Sequence, residues 1–310
     1  MLALPDRLVN DLILPARRWL GGDIFASRAH LDAHIERRRR RPVDPAPPSS
    51  VRRAVDVEPG ECQGWPVFAA APRGGRVLAS IVYLHGGAYV NEITRWHWAL
   101  IRELVEAAPA RCFVPIYPLA PAATAEEVVP RAAAITSELI ANGGEKPTLL
   151  IGDSAGAGLA LAAALGLRAE DAPQPSRMIL LSPFLDVTVS DPRQLAVADR
   201  DKMLRPPGLV AAGRIYAGSL GLDDPRVSPI HAGLAGIAPM TILTGTDDIL
   251  DLDSERLAAK ARDAGVEVDL ERVEGAPHGF PILPTRQGAR ARARIAEVIR
   301  EEAAQLDGGR

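Results

Sequence analysis

Two hydrophobic periodicities divide the chain. Up to about residue 41, Leu8, Leu12, Ile13, Trp19 and Leu20, then Leu31 and Ile35, recur at helical spacing with charges between them, which predicts one or two amphipathic helices. Segments 51–58 and 65–71 read as a β-hairpin across the turn Pro59-Gly60-Glu61. Beyond it, short runs rich in Val, Ile and Leu (77–84, 112–117, 147–152, 177–183, 239–245 and 266–273) alternate with helical stretches. Runs that are apolar throughout, not alternating, are what strands buried on both faces require. Strand–helix alternation implies right-handed crossovers and a mostly parallel sheet of eight strands with helices on both faces. The longest connection, about residues 186–228, carries Pro192, Pro206, Pro207 and Pro225 and predicts short helices above the sheet. The expected organisation is an N-terminal helical cap segment and linker over residues 1–50. A main domain follows over 51–310, with the rest of the cap inserted at about 186–228.

Composition narrows the class without naming a chemistry. Of 310 residues, 47% are hydrophobic and 24% charged, the balance of a globular protein with a sizeable core. Only 4% are aromatic, so Ala, Leu, Val and Ile must fill that core. A net charge of -3 gives no field to attract nucleic acid, and the basic run Arg37–Arg41 reads as a solvated helix end before a proline-rich linker. Two cysteines, Cys62 and Cys112, make neither a disulfide framework nor a zinc site. Asp6, Arg7, Asn10 and Asp11 interrupt the first twenty residues, so no secretory segment is expected; no stretch is long enough for a membrane span. A cytoplasmic protein is the default expectation. The oligomeric state stays open, a homodimer included.

Candidate chemistry enters at residues 147–158. An apolar strand runs into Gly152-Asp153-Ser154-Ala155-Gly156, and a helix of small residues follows. Strand, G-x-S-x-G, helix is the context of a nucleophile elbow, in which a sharp turn lifts a serine Oγ above the sheet. A glycine-rich phosphate-binding turn is the competing reading of the pentapeptide alone. Upstream, the third strand ends in His85-Gly86-Gly87-Ala88-Tyr89, where glycines free backbone N–H groups to face an oxyanion. His85 is read as structural, its ring bonded to the loop backbone.

Together these motifs resemble the hormone-sensitive-lipase family, the bacterial family IV carboxylesterases of the α/β-hydrolase fold. The resemblance covers roughly residues 75 to 305. It rests on His85-Gly86-Gly87-Ala88 for H-G-G-G, Tyr117-Pro118-Leu119-Ala120-Pro121 for Y-R-L-A-P, Gly152 to Gly156 for G-D-S-A-G, and His278-Gly279-Phe280 for H-G-F. His97 also falls where many members carry a histidine. The resemblance implies an oxyanion hole over Gly86, Gly87, Ala88 and Ala155, with donors at Gly87, Ala88 and Ala155. Ala88 departs from the family glycine: it keeps its N–H, but its Cβ disfavours a positive φ.

Of six histidines, His278 alone follows the last strand in a short turn, whence its imidazole can reach Ser154. The acid should follow the seventh strand. In register with the family's D-P-L or D-I-L motif, Asp248-Ile249-Leu250 supplies it, with Asp247 the competitor. The expected triad is therefore Ser154, Asp248 and His278. Tyr89, Trp96 and Trp98 are candidates for pocket walls or for plain packing. The reading implies a metal-free, cofactor-free enzyme acting on small-molecule carboxylic esters. Two rivals stay open: acyl transfer, lactone or amide cleavage on the same triad, and a non-catalytic receptor such as the plant gibberellin receptors, which resemble this family. An intact Ser, Asp and His argues against the receptor.

Overall fold

The computed structural model describes residues 3–16 and 23–308. Its eight strands are β1 (Asp56–Cys62), β2 (Trp65–Ala71), β3 (Ala79–Leu84), β4 (Ala110–Pro115), β5 (Thr148–Asp153), β6 (Arg177–Leu181), β7 (Met240–Asp247) and β8 (Val268–Pro277). They form one sheet in the order β1-β2-β4-β3-β5-β6-β7-β8. β2 runs antiparallel to β1 and β4, and every other neighbouring pair is parallel. The helices between them are α1 (Arg28–Arg40), α2 (Ser49–Ala54), α3 (Arg95–Ala107), α4 (Ala125–Asn142), α5 (Ala155–Ala169), α6 (Pro192–Val197), α7 (Pro206–Ala217), α8 (Asp251–Asp263) and α9 (Arg286–Gly308).

Apolar runs become strands with two buried faces because successive side chains point to opposite sides. Ile81, Tyr83, Leu149, Ile151, Ile179 and Leu181 pack on one side against Trp98 and Ile101 of α3 and Ile295 and Ile299 of α9. Val82, Leu84, Leu150, Leu180 and Ile242 pack on the other against α4, α5 and α8. Buried alanines line α5, including Ala157, Ala160, Ala163 and Ala164. This is how a chain so poor in aromatic residues closes its core.

The hairpin is shifted from its expected position. Residues 51–54 belong to α2, and β1 runs straight through Pro59-Gly60-Glu61, which pair with Phe68, Val67 and Pro66. The reversal instead lies at Gln63-Gly64, both at positive φ (50° and 77°), between the paired Cys62 and Trp65. A proline is tolerated in β1 because the strand lies at the sheet edge, where a missing N–H breaks no ladder. Two residues at positive φ match the twist of a tight hairpin.

The N-terminal stripe is also redistributed. A helical turn at Leu8–Ile13 buries Val9, which with Leu14 packs against Leu283, and leaves Leu8, Leu12 and Ile13 exposed. Trp19 and Leu20 lie outside the described residues. α1 buries Leu31 and ends in the basic run, where Arg40 pairs with Glu36 and Arg38 with Glu92. α1 and α7 pack together, and the Gly208 N–H donates to the Phe25 carbonyl just ahead of α1. Among the described residues no helix is long and apolar enough to cross a membrane.

Candidate active site

Ser154 stands between β5 and α5 with φ 52° and ψ −120°. A left-handed non-glycine residue costs on the order of 1–3 kcal/mol and persists only where its surroundings fix it. Here its N–H donates to the Leu181 carbonyl (2.8 Å), and its carbonyl accepts from Phe184 N–H (3.0 Å), so the end of β6 and the segment just beyond it grip both sides of the turn. The flanking glycines are required by space: a Cβ on Gly152 would strike the Gly156 carbonyl, and one on Gly156 would strike the Leu84 carbonyl.

His278 follows β8, and its ring is buried between two oxygens. Its Nδ1–H donates to Asp248 Oδ2 at 2.9 Å, and its Nε2 accepts from Ser154 Oγ at 3.0 Å. Burial pushes the imidazole pKa down, but the charge and hydrogen bond of Asp248, with Asp201 and Asp153 beyond, hold it above the usual 6.5. The carboxylate in reach is Asp248, fully buried; Asp247 turns outward to Arg200 Nε at 3.1 Å. Asp248 Oδ1 accepts from Leu250 N–H (2.9 Å), so the acid is braced by its own loop.

The loop after β3 holds three consecutive residues at positive φ: Gly87 (126°), Ala88 (53°) and Tyr89 (62°). Ala88 thus adopts the conformation that its Cβ disfavours. Among the described residues, the N–H groups of Gly87, Ala88 and Ala155 donate to no other protein group. Gly86 is a correction: its N–H is committed to Asp153 Oδ1 at 3.0 Å and is not available to an oxyanion. Asp153 also accepts from the Tyr83 hydroxyl (2.6 Å) and lies 3.2 Å from His97 Nε2. His97 Nδ1 accepts from Thr94 N–H at 2.9 Å, so Nε2 carries the proton toward Asp153. Burial pushes the Asp153 carboxyl up, but His97, Tyr83 and His85 hold it below its usual range. His85 donates from Nδ1 to the Gly86 carbonyl (2.8 Å) and stacks on Tyr117 at 4.4 Å. Burial, then His97, drops its pKa to about 4, so the ring is neutral at ordinary pH.

The three aromatic candidates separate. Tyr89 packs face to face on Tyr216 of α7 (3.6 Å between centroids) and beside Phe184, whose N–H holds the Ser154 carbonyl. Trp98 is corrected to a core residue on the α3 and α9 side of the sheet, donating from Nε1 to the Pro45 carbonyl and meeting Phe68 edge-on. Trp96 is half-buried, with the Arg95 guanidinium 4.8 Å over its ring, and has no ring contact or side-chain hydrogen bond to the triad among the described residues.

Two side chains near the site went unread in the sequence. Asp201 and Gln194, both from the 186–228 insertion, clasp the peptide groups of Ile249. Asp201 Oδ2 accepts from the Ile249 N–H (3.0 Å), while Gln194 Nε2 donates to its carbonyl (3.2 Å). Burial, and then the charge of Asp248, push the Asp201 pKa up to about 6. No motif marks either residue; only a buried acid in a polar loop could have hinted at Asp201. Among the described residues no group of three or more His, Cys, Asp or Glu is arranged to hold a metal ion.

Residues 81–282 match the family model described as the α/β-hydrolase fold. An esterase from Acinetobacter venetianus is 31% identical over 226 residues, covering 70% of this chain and 75% of that protein. A triacylglycerol lipase of Mycobacterium tuberculosis is 34% identical over 219 residues, covering 70% of this chain but only 42% of the longer lipase. Among solved structures, a hormone-sensitive lipase from a metagenome library superposes with a TM-score of 0.83 at 26% identity, covering 98% of this chain and all of that one.

Proposed function

We propose that this chain, which belongs to the α/β-hydrolase family in its hormone-sensitive-lipase branch, is a serine carboxylesterase acting through an acyl-enzyme. The observation that carries this reading is one imidazole bonded to Ser154 at 3.0 Å and to Asp248 at 2.9 Å. In the reaction, Ser154 Oγ bonds to the ester carbonyl carbon as His278 Nε2 takes the hydroxyl proton. The carbonyl oxygen becomes an oxyanion facing the N–H groups of Gly87, Ala88 and Ala155. Collapse breaks the bond to the alcohol oxygen, which leaves with the proton from His278. Water then repeats the sequence on the acyl-enzyme and releases the acid. Asp248 keeps the imidazole in the Nδ1–H tautomer and stabilises its cationic form.

The N-terminal segment and the 186–228 insertion serve as the cap. Supporting this, α1 meets α7, and Tyr216 of α7 lies on Tyr89 of the oxyanion loop. Ser154 and His278 are enclosed, at 8% and 5% exposure. Such a site favours acyl chains of roughly two to eight carbons. Each buried methylene is worth about 0.8 kcal/mol until the pocket is full, after which further carbons stay in water or force the cap open. The test pairs fluorophosphonate labelling with a hydrolysis profile over p-nitrophenyl esters of increasing acyl length. Labelling at Ser154, its loss in Ser154→Ala, and an optimum within that range are expected. No labelling, or a wild type fastest on long chains, contradicts the reading.

A further inference from the structure

The Gly87 carbonyl draws more donors than any other group in the oxyanion loop. It accepts from Val90 N–H (3.1 Å), Asn91 N–H (3.0 Å) and Asn91 Nδ2 (3.0 Å). Asn91 wraps the glycine so closely that a Cβ on Gly87 would sit 2.6 Å from the Asn91 carbonyl oxygen and 2.9 Å from its Cβ. A peptide unit is planar and trans, so its C=O and N–H point in opposite directions. Fixing the Gly87 carbonyl therefore fixes the N–H of Ala88 on the other side of the same plane. Ala88 is where this need is greatest: it lacks the freedom of glycine yet stands at φ 53°.

Asn91 is itself held from outside the loop. Its amide nitrogen faces a carbonyl, so its Oδ1 is the atom left for His34 of α1, whose Nε2–H donates at 2.6 Å. Arg38, one turn further along α1, pairs with the neighbouring Glu92 at 3.3 Å. α1 thus grips the loop through Asn91 and through Glu92.

We propose that Asn91 is a positioning residue for the oxyanion hole: it orients the Ala88 N–H by holding the Gly87 carbonyl, and His34 locks Asn91 in that pose. The proposal rests on the esterase reading. Its test uses the full chain, with active sites titrated to completion by fluorophosphonate so that rates refer to competent enzyme. Asn91→Ala should lower kcat about tenfold, the scale of one hydrogen bond, with little change in KM. Asn91→Asp, equal in size, should lower it further, because an acceptor replaces the donor against the Gly87 carbonyl. Affinity for a trifluoromethyl ketone, whose adduct carries the oxyanion, should fall in step with kcat/KM. His34→Ala should act in the same direction by several-fold, and as a change on α1 it reads the effect should an Asn91 variant fold poorly. A purely space-filling Asn91 predicts the reverse ranking, with Asn91→Asp milder than Asn91→Ala. That ranking, or unchanged kcat per titrated site in the Asn91 variants, overturns the proposal while the esterase reading stands. Unchanged kcat in His34→Ala overturns the anchor. A wild type that neither labels nor hydrolyses esters overturns the reading beneath, and the proposal with it.

Discussion

In the proposed reaction the nucleophile elbow and the oxyanion loop face the same carbon; both hold non-glycine residues at positive φ, yet they are stabilised differently. The elbow is built almost wholly from its own pentapeptide. Gly152 and Gly156 leave the space, β5 and α5 set the entry and exit, and Leu181 at the end of β6 and Phe184 just beyond it supply one backbone bond each. The oxyanion loop has one glycine where strain is greatest and then two residues, Ala88 and Tyr89, that resist their conformation. It is held by partners remote in sequence: Asp153 on Gly86, Ala120 N–H on the Tyr89 carbonyl, Tyr216 on the Tyr89 ring, and His34 on Asn91. Strain carried by local glycines is insensitive to distant change. Strain carried by tertiary contacts is exposed to it.

The largest effect should come from the acid that serves both regions through His278. Asp248→Asn should cut kcat by about 10⁴, and Asp247→Asn by less than about tenfold. Steady-state kinetics on a p-nitrophenyl ester check this, and the opposite ranking would place the acid one residue earlier. The pH profile sharpens the same point. His278 acts as a base only when neutral, and Asp248 raises its pKa, so the acid limb of kcat/KM should lie above pH 6.5. Asp248→Asn should move that limb to lower pH. Stability responds in the opposite sense: the contribution of the protonated pair is complete below the unfolded value near 6.5 and is lost as pH rises through the raised folded value.

Next in size, Gly156→Ala attacks the elbow where it cannot yield, since the added methyl meets the Leu84 and His85 carbonyls. A stability loss of about 3 kcal/mol or more is expected, read as a drop in denaturant midpoint. A variant as stable as wild type would show that the elbow is softer than its packing implies. The smallest effect tests the loop. Ala88→Gly removes a Cβ from a left-handed residue, so stability should stay within about 1 kcal/mol of wild type. Hydrolysis of tertiary-alcohol esters should improve several-fold more than that of simple esters. Equal gains on both would mean that the Ala88 methyl does not face the crowded side of the ester.

The elbow was legible in the sequence for the reason that makes it robust: its conformation depends on five neighbouring residues and the elements on either side. The sheet was legible too, because strands buried on both faces must be apolar throughout. The hairpin was misplaced because the proline and glycine of β1 look like a turn until the strand is known to lie at an edge. Nearness to the loop in sequence leaves Trp98 open as a pocket wall or as plain packing, and α3, by turning it to the other face of the sheet, decides for packing.

The motifs and their order along the chain were enough to bring Ser154, Asp248 and His278 forward as a set, since each sits at the end of a strand that hydrophobic pattern alone defines. Which backbone N–H groups are free, that Gly86 is already bonded to Asp153, that Asp201 and Gln194 brace the acid loop, and that His34 reaches Asn91 were decided only by the folded chain. Those contacts are made by polar side chains to residues 48 or more positions away, and a single hydrogen bond at such a distance leaves no pattern in the sequence.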